Sequence, residues 1–126
     1  MEQFFKALGD ENRLRILNLL ANYELCVCEI EVILDLNQSN VSRHLGKLKD
    51  NKIISGYKDA QWIHYKIDDK FKDDNISLFQ YLTDKFGKDS LFVEDLKKCK
   101  LYVESPYNCQ TINNDKELVL EYINKG

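Results

Sequence analysis

The sequence contains few residues that interrupt a compact helical fold. Its 126 residues include one proline and five glycines, and no low-complexity tract occurs. The charged fraction of 31% accompanies a hydrophobic fraction of 44%, a composition that argues against intrinsic disorder. A chain of this length is usually one domain. We therefore expect one folded domain with a hydrophobic core, and we exclude a two-domain enzyme with a closed cofactor cleft.

Signals for membrane insertion and secretion are also lacking. No run approaches the roughly 18 apolar residues that a transmembrane helix needs. The first residues, Met1 to Lys6, lack the charged-then-apolar order of a signal peptide. We expect a cytoplasmic protein, in which the four cysteines are reduced rather than paired.

Groups that enzymes use in catalysis are scarce. The only histidines are His44 and His64, and the sequence has no glycine-rich phosphate loop. A nucleophilic thiolate usually needs a base or an anion-binding cradle beside it. We therefore expect that the chain is not an enzyme.

Charge is unevenly distributed along the chain. The net charge is −3, but residues 37–66 carry six basic and two acidic side chains, and the acidic excess lies outside them. A basic patch on an acidic body is typical of a nucleic-acid-binding surface. An ordinary solvated face would show the same charges, so charge alone leaves both interpretations open.

Apolar periodicity predicts four helices at the start of the chain, at residues 2–8, 11–21, 25–34 and 38–50. Residues 35–37 form the turn between the last two, which makes them a helix-turn-helix. Two strand-like runs follow at residues 53–57 and 62–67, with a hairpin tip at 58–61. Ile63, Tyr65 and Ile67 should face inwards along the second run. The fold class predicted is a winged helix-turn-helix, mainly α with a small β-hairpin.

Helical patterns continue beyond the hairpin. A helix is predicted after Asp68 up to Gly87, another from Asp89 or Ser90 to about Val103, and a last amphipathic segment over residues 115–123. Cys109 is expected in a loop between the last two. The fold is therefore four helices, a hairpin and a fifth helix, followed by C-terminal helices.

The outer face of the fourth helix suits the major groove of DNA. Its side chains are short, polar or cationic, so the backbone can approach the bases. His44 either reaches a phosphate or packs at the base of this helix, and we favour packing. His64 is expected to be solvated or near phosphate. The residues predicted to contact DNA are Gln38, Ser39, Asn40, Ser42, Arg43 and Lys47, with Lys58 and Gln61 on the wing.

Cys26 and Cys28 lie at the start of the predicted third helix. The helix dipole there should lower the pKa of both thiols, and thiolates bind soft ions. Residues two apart do not face each other on a helix, so a shared ion would require the first turn to unwind. Binding would then distort the element before the fourth helix. Alternatively both are small buried hydrophobes, and Cys99 and Cys109 are incidental.

Four segments carry a family resemblance: residues 8–17 (LGDENRLRIL), 24–29 (ELCVCE), 38–45 (QSNVSRHL) and 62–67 (WIHYKI). They resemble the second helix, thiolate metal box, recognition helix and second wing strand of the ArsR/SmtB metal-responsive repressors, over about residues 3–80. The resemblance implies a homodimer that binds a palindromic operator and leaves it when metal binds. Residues 1–87 would form the DNA-binding and dimerisation domain, with an interface built by the first helix and residues 69–86. Residues 88–126 would be a C-terminal helical extension of that domain.

The metal box resembles sites for As(III) or Sb(III), which three thiolates bind in a pyramid; no resident cofactor is implied. The enteric-type sensors have a third cysteine where this sequence has Glu31. Cys109 or Cys99 could supply the third ligand, within one subunit or across the dimer, or two thiolates could suffice.

Other inducers remain open. The cadmium/lead branch shares the box but adds N-terminal cysteines, and none precedes Cys26 here. The zinc branch uses carboxylates and histidines on the helix after the wing, and residues 68–87 contain no histidine, which excludes that site. A thiol redox sensor with the same fold is a further alternative.

Overall fold

The computed structural model describes residues 1–125. Three short strands are inserted among helices. In chain order the elements are α1 Glu2–Leu8, α2 Glu11–Leu20, β1 Leu25–Cys26, α3 Val27–Leu34, α4 Gln38–Asp50, β2 Ile54–Asp59, β3 Trp62–Ile67, α5 Asp69–Asp74, α6 Ile76–Phe86, α7 Ser90–Val103, α8 Cys109–Asn114 and α9 Lys116–Asn124.

The helix-turn-helix is α3 followed by α4, and local side-chain bonds define its ends. Asp35 ends α3 with φ 53°, a left-handed conformation that a short polar residue tolerates. Asn37 begins α4 by accepting a hydrogen bond from the backbone N–H of Asn40 at 2.9 Å. Val41, Leu45 and Leu48 are buried against the rest of the core. The polar outer face of α4 is therefore left to solvent.

The wing is an antiparallel hairpin of β2 and β3, paired from Ile54↔Ile67 to Asp59↔Trp62. Its tip is shorter than the sequence predicted, because β2 continues to Asp59 and only Ala60 and Gln61 turn the chain. Ala60 makes the turn with φ 56°. The inward alternation predicted for β3 is wrong at Ile63, whose side chain is 48% exposed.

A third strand, β1, was not predicted. Leu25 and Cys26 pair with Tyr65 and His64 on the free edge of β3. The third helix therefore begins at Val27, and the prediction that it starts at Leu25 is wrong. The reason is that the backbone groups of these two residues form hydrogen bonds with β3 instead of within a helix. The spacing of apolar residues in the sequence does not distinguish these two possibilities in so short a run.

The helix predicted after the wing is two helices, α5 and α6, separated at Asn75. Its side-chain Nδ2 donates to the backbone oxygen of Phe71 at 3.0 Å. Asparagine competes with helical backbone bonds in this way, so it interrupts an apolar stripe that otherwise reads as continuous. Phe71 and Phe86 are buried, whereas Ile76 and Tyr81 are exposed.

The C-terminal helices pack onto the helix-turn-helix. Asp95 on α7 accepts two hydrogen bonds from the guanidinium of Arg15 on α2, at 2.8 and 3.0 Å. Ile112, Val119 and Ile123 are buried in the common core. The prediction that Cys109 lies in a loop is wrong, because Asn108 caps a short helix that starts at Cys109. Within residues 1–125, the helices are all too short or too polar to cross a bilayer.

Candidate metal centre and nucleic-acid interface

Three cysteines, one each from β1, α3 and α8, meet at the start of α3. Cys26 precedes the helix, Cys28 is its second residue, and Cys109 is the first residue of α8. Their three Sγ atoms lie within 4.8 Å of one another. Cys99, the other candidate for a third ligand, is buried in α7 and lies outside this cluster. Of the two alternatives from the sequence, the structure therefore brings Cys109 to the pair.

The prediction that Cys26 and Cys28 can share an ion only after unwinding is wrong. Their Sγ atoms are already 3.2 Å apart. Cys26 is the N-cap of α3, with extended backbone angles of φ −94° and ψ 171°. The spacing rule for residues two apart applies inside a helix, and an N-cap residue lies outside it. The two sulfurs thus lie side by side with the first turn of α3 intact.

Cys26 and Cys109 are joined by a disulfide, contrary to the expectation that all four cysteines are reduced. Their Cα atoms are 7.6 Å apart. The thiolate is the metal-binding form of cysteine, so these two sulfurs can bind an ion only after the disulfide is reduced.

Glu29 holds Cys26 in place and connects it to the C-terminal helices. One carboxylate oxygen accepts from the backbone N–H of Cys26 at 2.9 Å and lies 3.2 Å from its Sγ. The other oxygen accepts a hydrogen bond from the hydroxyl of Tyr102 on α7. Partners of this kind orient the ligands of a metal site.

The electrostatic surroundings disfavour a free thiolate at Cys28. Burial, followed by the nearby carboxylates of Glu29 and Glu31, raises the pKa of this thiol to about 11. The prediction that the helix dipole lowers the pKa is therefore wrong for Cys28, because burial and two negative charges outweigh the dipole. Burial likewise raises the pKa of Cys99 to about 12, which fits an unreactive core residue.

A cleft of about 490 Å³ opens beside the thiols and reaches the wing and the recognition helix. Both members of the cysteine pair form part of its wall, and α8 closes one side. Across its rim, Gln61 at the wing tip donates to Gln110 of α8 at 3.4 Å. The lining residues are Cys26, Val27, Cys28, Glu31, Gln38, Gln61, Trp62, Ile63, Tyr65, Ile112, Asn113 and Lys116.

The residues predicted to contact DNA lie on two elements that follow each other in the chain, α4 and the wing. Asn40 is half-buried and accepts from Arg43 at 3.5 Å, and the other seven are exposed. Six of the eight belong to α4, and Lys58 and Gln61 belong to the hairpin. The outer surface of α4 is thus free for a ligand, whereas Gln61 is also engaged with α8.

His44 is buried beneath that surface, with 2% of its area exposed. Its Nδ1 lies 3.1 Å from the guanidinium of Arg13 on α2. Burial lowers the pKa of His44, which favours the neutral ring, and Arg13 has only donors, so Nδ1 is the acceptor in this pair. The geometry agrees with a packing role. His64, in contrast, stacks on Tyr57 with ring centroids 5.5 Å apart.

Comparisons with known proteins bear on the same region. Residues 10–55 match the sequence model described as bacterial regulatory protein, arsR family. The chain is 42% identical over 73 residues to MJ1325 of Methanocaldococcus jannaschii, an uncharacterized HTH-type transcriptional regulator, and this alignment spans 56% of the chain and 82% of that protein. The chain belongs to the ArsR family.

Two other relatives of this ArsR-family protein have names that mention an inducer. It is 42% identical over 66 residues to the arsenical resistance operon repressor of Escherichia coli (strain K12), covering 52% of this chain and 56% of that one. It is 43% identical over 65 residues to the cadmium resistance transcriptional regulatory protein CadC of Listeria innocua, covering 51% and 55%. The chain thus spans about half the length of these two curated relatives.

A solved structure bears on the fold. The homodimeric winged helix-turn-helix DNA-binding domain of Mb0332 from Mycobacterium bovis matches with a TM-score of 0.58 and 27% identity, over 67% of this chain and 78% of that one. The predicted fold class, a winged helix-turn-helix, is confirmed. The prediction that the ArsR-family chain is not an enzyme is also confirmed, because the family consists of DNA-binding transcriptional regulators.

Sequence reasoning missed three residues of this ArsR-family site. Glu29 follows Cys26 by three residues, which is the spacing of a capping box with cysteine in place of serine, so a local signal existed. Tyr102 and the cap at Asn108 act through tertiary packing of α7 and α8 on α3. The sequence offered no local pattern that connects them to Cys26.

Proposed function

We propose that the protein is a transcriptional repressor that binds operator DNA as a homodimer and releases it when As(III) or Sb(III) binds Cys26, Cys28 and Cys109. The observation that carries the proposal is the meeting of three sulfurs within 4.8 Å, supplied by β1, α3 and α8 of a single chain. Thiolates are the ligands that soft ions prefer. The arsenical repressor among the relatives supports the same class of inducer.

The chemistry of arsenite suits one half-buried and two buried thiols beside two carboxylates. In arsenite three As–O bonds are exchanged for three As–S bonds, and each thiol proton leaves in a water molecule. The exchange adds no charge to the site and changes no oxidation state. Cd²⁺ or Pb²⁺ would instead displace thiol protons into solvent. We therefore place As(III) and Sb(III) first and Cd(II) and Pb(II) second, although a cadmium regulator is an equally similar relative.

The DNA-binding part of the proposal rests on α4 and the wing. Most of the basic excess of residues 37–66 lies on these elements, in a chain that is otherwise acidic. Short polar side chains on the outer face of α4 would enter the major groove, and the wing would follow the backbone. The proposed contacts are Gln38, Ser39, Asn40, Ser42, Arg43, Lys47, Lys58 and Gln61.

The homodimer part rests on apolar side chains of α1 and α6. Phe5, Ile76 and Tyr81 are each more than half exposed, with relative areas of 56%, 56% and 59%. Large exposed hydrophobic groups on two elements are typical of a subunit interface. The interface proposed from the resemblance used these same parts of the chain.

Coupling between the three-cysteine cluster and the DNA-binding surface would run through α8. Cys109 is its first residue, and the next residue, Gln110, contacts Gln61 on the wing tip. Gln38, at the start of the recognition helix, belongs to the same cleft. Gathering three sulfurs around an ion shifts α8 relative to α3, and the wing moves with it. In this proposal, metal binding acts on the wing through α8, and the first turn of α3 does not have to unwind.

The test is release from DNA. A fluorescent operator duplex, selected from a random pool by the reduced protein, is titrated with that protein and then with arsenite, antimonite, Cd²⁺ or Zn²⁺ while anisotropy is recorded. We expect release by arsenite and antimonite at near-stoichiometric concentrations. Cys26→Ser and Cys28→Ser should stay bound, and Cys109→Ser should need on the order of tenfold or more arsenite, since even outer partners of a metal site contribute that much.

Cys99→Ala is the matched control, because it removes a thiol outside the cluster and should leave induction unchanged. Full induction of both Cys26→Ser and Cys28→Ser would overturn the site. Release by cadmium but not by arsenite would replace the inducer and keep the site.

A thiol redox sensor is the second candidate, favoured by the disulfide between Cys26 and Cys109. Peroxide would oxidise the two thiols to this disulfide and be reduced to two molecules of water. In that case peroxide would release the operator, arsenite would not, and Cys109→Ser would abolish the peroxide response.

A further inference from the structure

We propose that α8 is a third DNA-contacting element, which places the amide side chains of Gln110 and Asn113 against base edges next to those that the wing reaches. α8 lies outside residues 10–55, the part of the chain that matches the family model. The inference rests on the proposed function, because it extends the proposed DNA-binding surface of α4 and the wing. It adds a contact with duplex DNA that neither of those two elements supplies.

α8 adjoins both of the proposed DNA-binding elements. Gln61 at the wing tip donates a hydrogen bond to Gln110 at 3.4 Å. Asn113 lines the same cleft as Gln38, the first residue of α4. Because a recognition helix lies in the major groove, the DNA strand between α4 and the wing would pass over the mouth of this cleft. A duplex that Gln61 contacts therefore lies within a side-chain length of Gln110.

α8 has one face in the core and one face in solvent. Cys109 and Ile112 are buried. Gln110, Asn113 and Asn114 are exposed. Gln110 also donates to Asn114 at 3.3 Å, so these two amides lie on the same side of the helix. The face of α8 next to the wing tip is therefore a row of amides.

Amide side chains suit base edges. An amide both donates and accepts hydrogen bonds, so Asn and Gln pair with adenine in the major groove and also read the minor groove. General attraction to the phosphate backbone depends instead on Lys and Arg. The sequence of α8, CQTINN, contains no charged side chain. Contact through α8 would therefore change sequence preference and add little electrostatic attraction.

The charges beside α8 lead to the same conclusion. Lys116 lies 3.7 Å from Glu31, so its charge is neutralised within the protein. Asp115 accepts from the backbone N–H of Leu118 at 3.2 Å and caps α9. Glu117 is exposed on the first turn of that helix. This end of the molecule does not attract phosphates by charge, so the amides of α8 are the groups that would favour DNA there.

The first measurement compares the operators that two proteins select. The reduced full chain and its variant Gln110→Ala/Asn113→Ala each select sites from the same random pool of duplexes, without inducer. We expect both to prefer the same bases within the half-sites. The variant should lose the preference of the wild type at the base pairs next to the wing.

Affinity for the operator of the wild type should fall about tenfold in this double variant, because each subunit of the dimer loses hydrogen bonds to DNA. The slope of log affinity against log salt should stay the same, since neutral amides release no counterions. Alanine favours the helix, so the variant should keep its fold. Asn124→Ala is the control. It removes an exposed amide from the end of α9, outside the cleft, and should change neither affinity nor preference.

Asn113→Lys tests the position of α8 through a gain of contact. A lysine there would reach a phosphate, so the salt slope should become steeper by about 0.9 per subunit, or about 1.8 per dimer. A looser wing cannot produce this gain, because a steeper slope requires a new cation near the backbone. Asn124→Lys adds the same charge at the end of α9 and should leave the slope unchanged.

The outcomes separate this inference from the proposed function. An unchanged flanking preference in the double alanine variant, or an unchanged slope in Asn113→Lys, would overturn the inference and leave the repressor in place. Tighter binding by the double variant would also overturn it, since α8 would then shield the wing from DNA. If the α8 variants behave as expected but neither arsenite nor antimonite releases the wild type, the inference stands and the proposed inducer is wrong.

Discussion

His44 and Lys47 lie three residues apart on α4 and have opposite environments. His44 is buried and hydrogen-bonded to Arg13, so it joins the recognition helix to α2. Arg13 also donates to the backbone oxygen of Ala7 at 2.7 Å, which brings α1 into the same junction. Lys47 is exposed on the outer face. On α4, buried residues such as His44 therefore fix the position of the helix, and exposed residues such as Lys47 could contact DNA.

Lys58 tests the proposed contact between the wing and DNA. Lys58→Ala should weaken binding to all operator sequences, because a phosphate contact carries no sequence information. The slope of log affinity against log salt should fall by about 0.9 per lost contact, or about 1.8 for a dimer. Affinity measured by anisotropy over a series of salt concentrations gives this slope.

Lys88→Ala is the control for Lys58. Lys88 is an exposed lysine outside the basic segment, paired with Asp84 at 3.2 Å. Its replacement should leave the salt slope unchanged. If Lys58→Ala also leaves the slope unchanged, the wing does not contact phosphate.

At the scale of the element, the recognition helix contains a residue that packing does not explain. Gly46 lies in the interior of α4, where glycine is unfavourable by up to about 1 kcal/mol relative to alanine. A Cβ added there would meet nothing within 4 Å. The absence of a side chain makes room for a partner outside the protein, and a DNA backbone lying against α4 would need that room.

Gly46→Ala should therefore have two opposite effects. Urea unfolding should show a gain of about 0.5–1 kcal/mol in the free energy of unfolding, from the higher helix propensity of alanine. The affinity for operator DNA should fall, because the new methyl group stands between α4 and the duplex. Arsenite binding should match the wild type, which controls for the site. A more stable variant with unchanged DNA affinity would remove Gly46 from the interface.

At the scale of the whole molecule, the C-terminal helices complete the thiol cluster. Cys109 is 83 residues from Cys26 in the sequence, and the two meet because α7 and α8 pack against α2 and α3. The ion pair of Arg15 and Asp95 is central to this packing, with only 3% of the Asp95 side chain exposed. Asn18 on α2 adds a bond to the backbone oxygen of Phe92 at 2.9 Å.

Arg15→Met should lower the free energy of unfolding by about 3–5 kcal/mol, because it leaves a buried carboxylate without its partner. The double variant Arg15→Met/Asp95→Leu should recover most of this loss, since it removes the unpaired charge as well. Urea unfolding followed by Trp62 fluorescence measures both. Equal destabilisation of the single and double variants would mean that packing of the two side chains, rather than charge, connects α7 to α2.

Local patterns in the sequence determined the winged helix-turn-helix. The helices α1, α2 and α4 and the two wing strands follow from apolar periodicity and from N-caps such as Asp10, which depend on residues within a few positions of each other. The same patterns indicated Cys26 and Cys28 as a pair. They failed at Asn75 and at Leu25, where a side-chain bond and a pairing with β3 replaced helical backbone bonds.

Only the tertiary structure decided how the thiols are arranged. The extended conformation of Cys26 depends on its pairing with His64, and the choice of Cys109 over Cys99 depends on which end of the C-terminal helices packs against α3. The same packing created the cleft between the thiols and the wing. These features rest on contacts between residues tens of positions apart, and local periodicity holds no information about which distant side chains will meet.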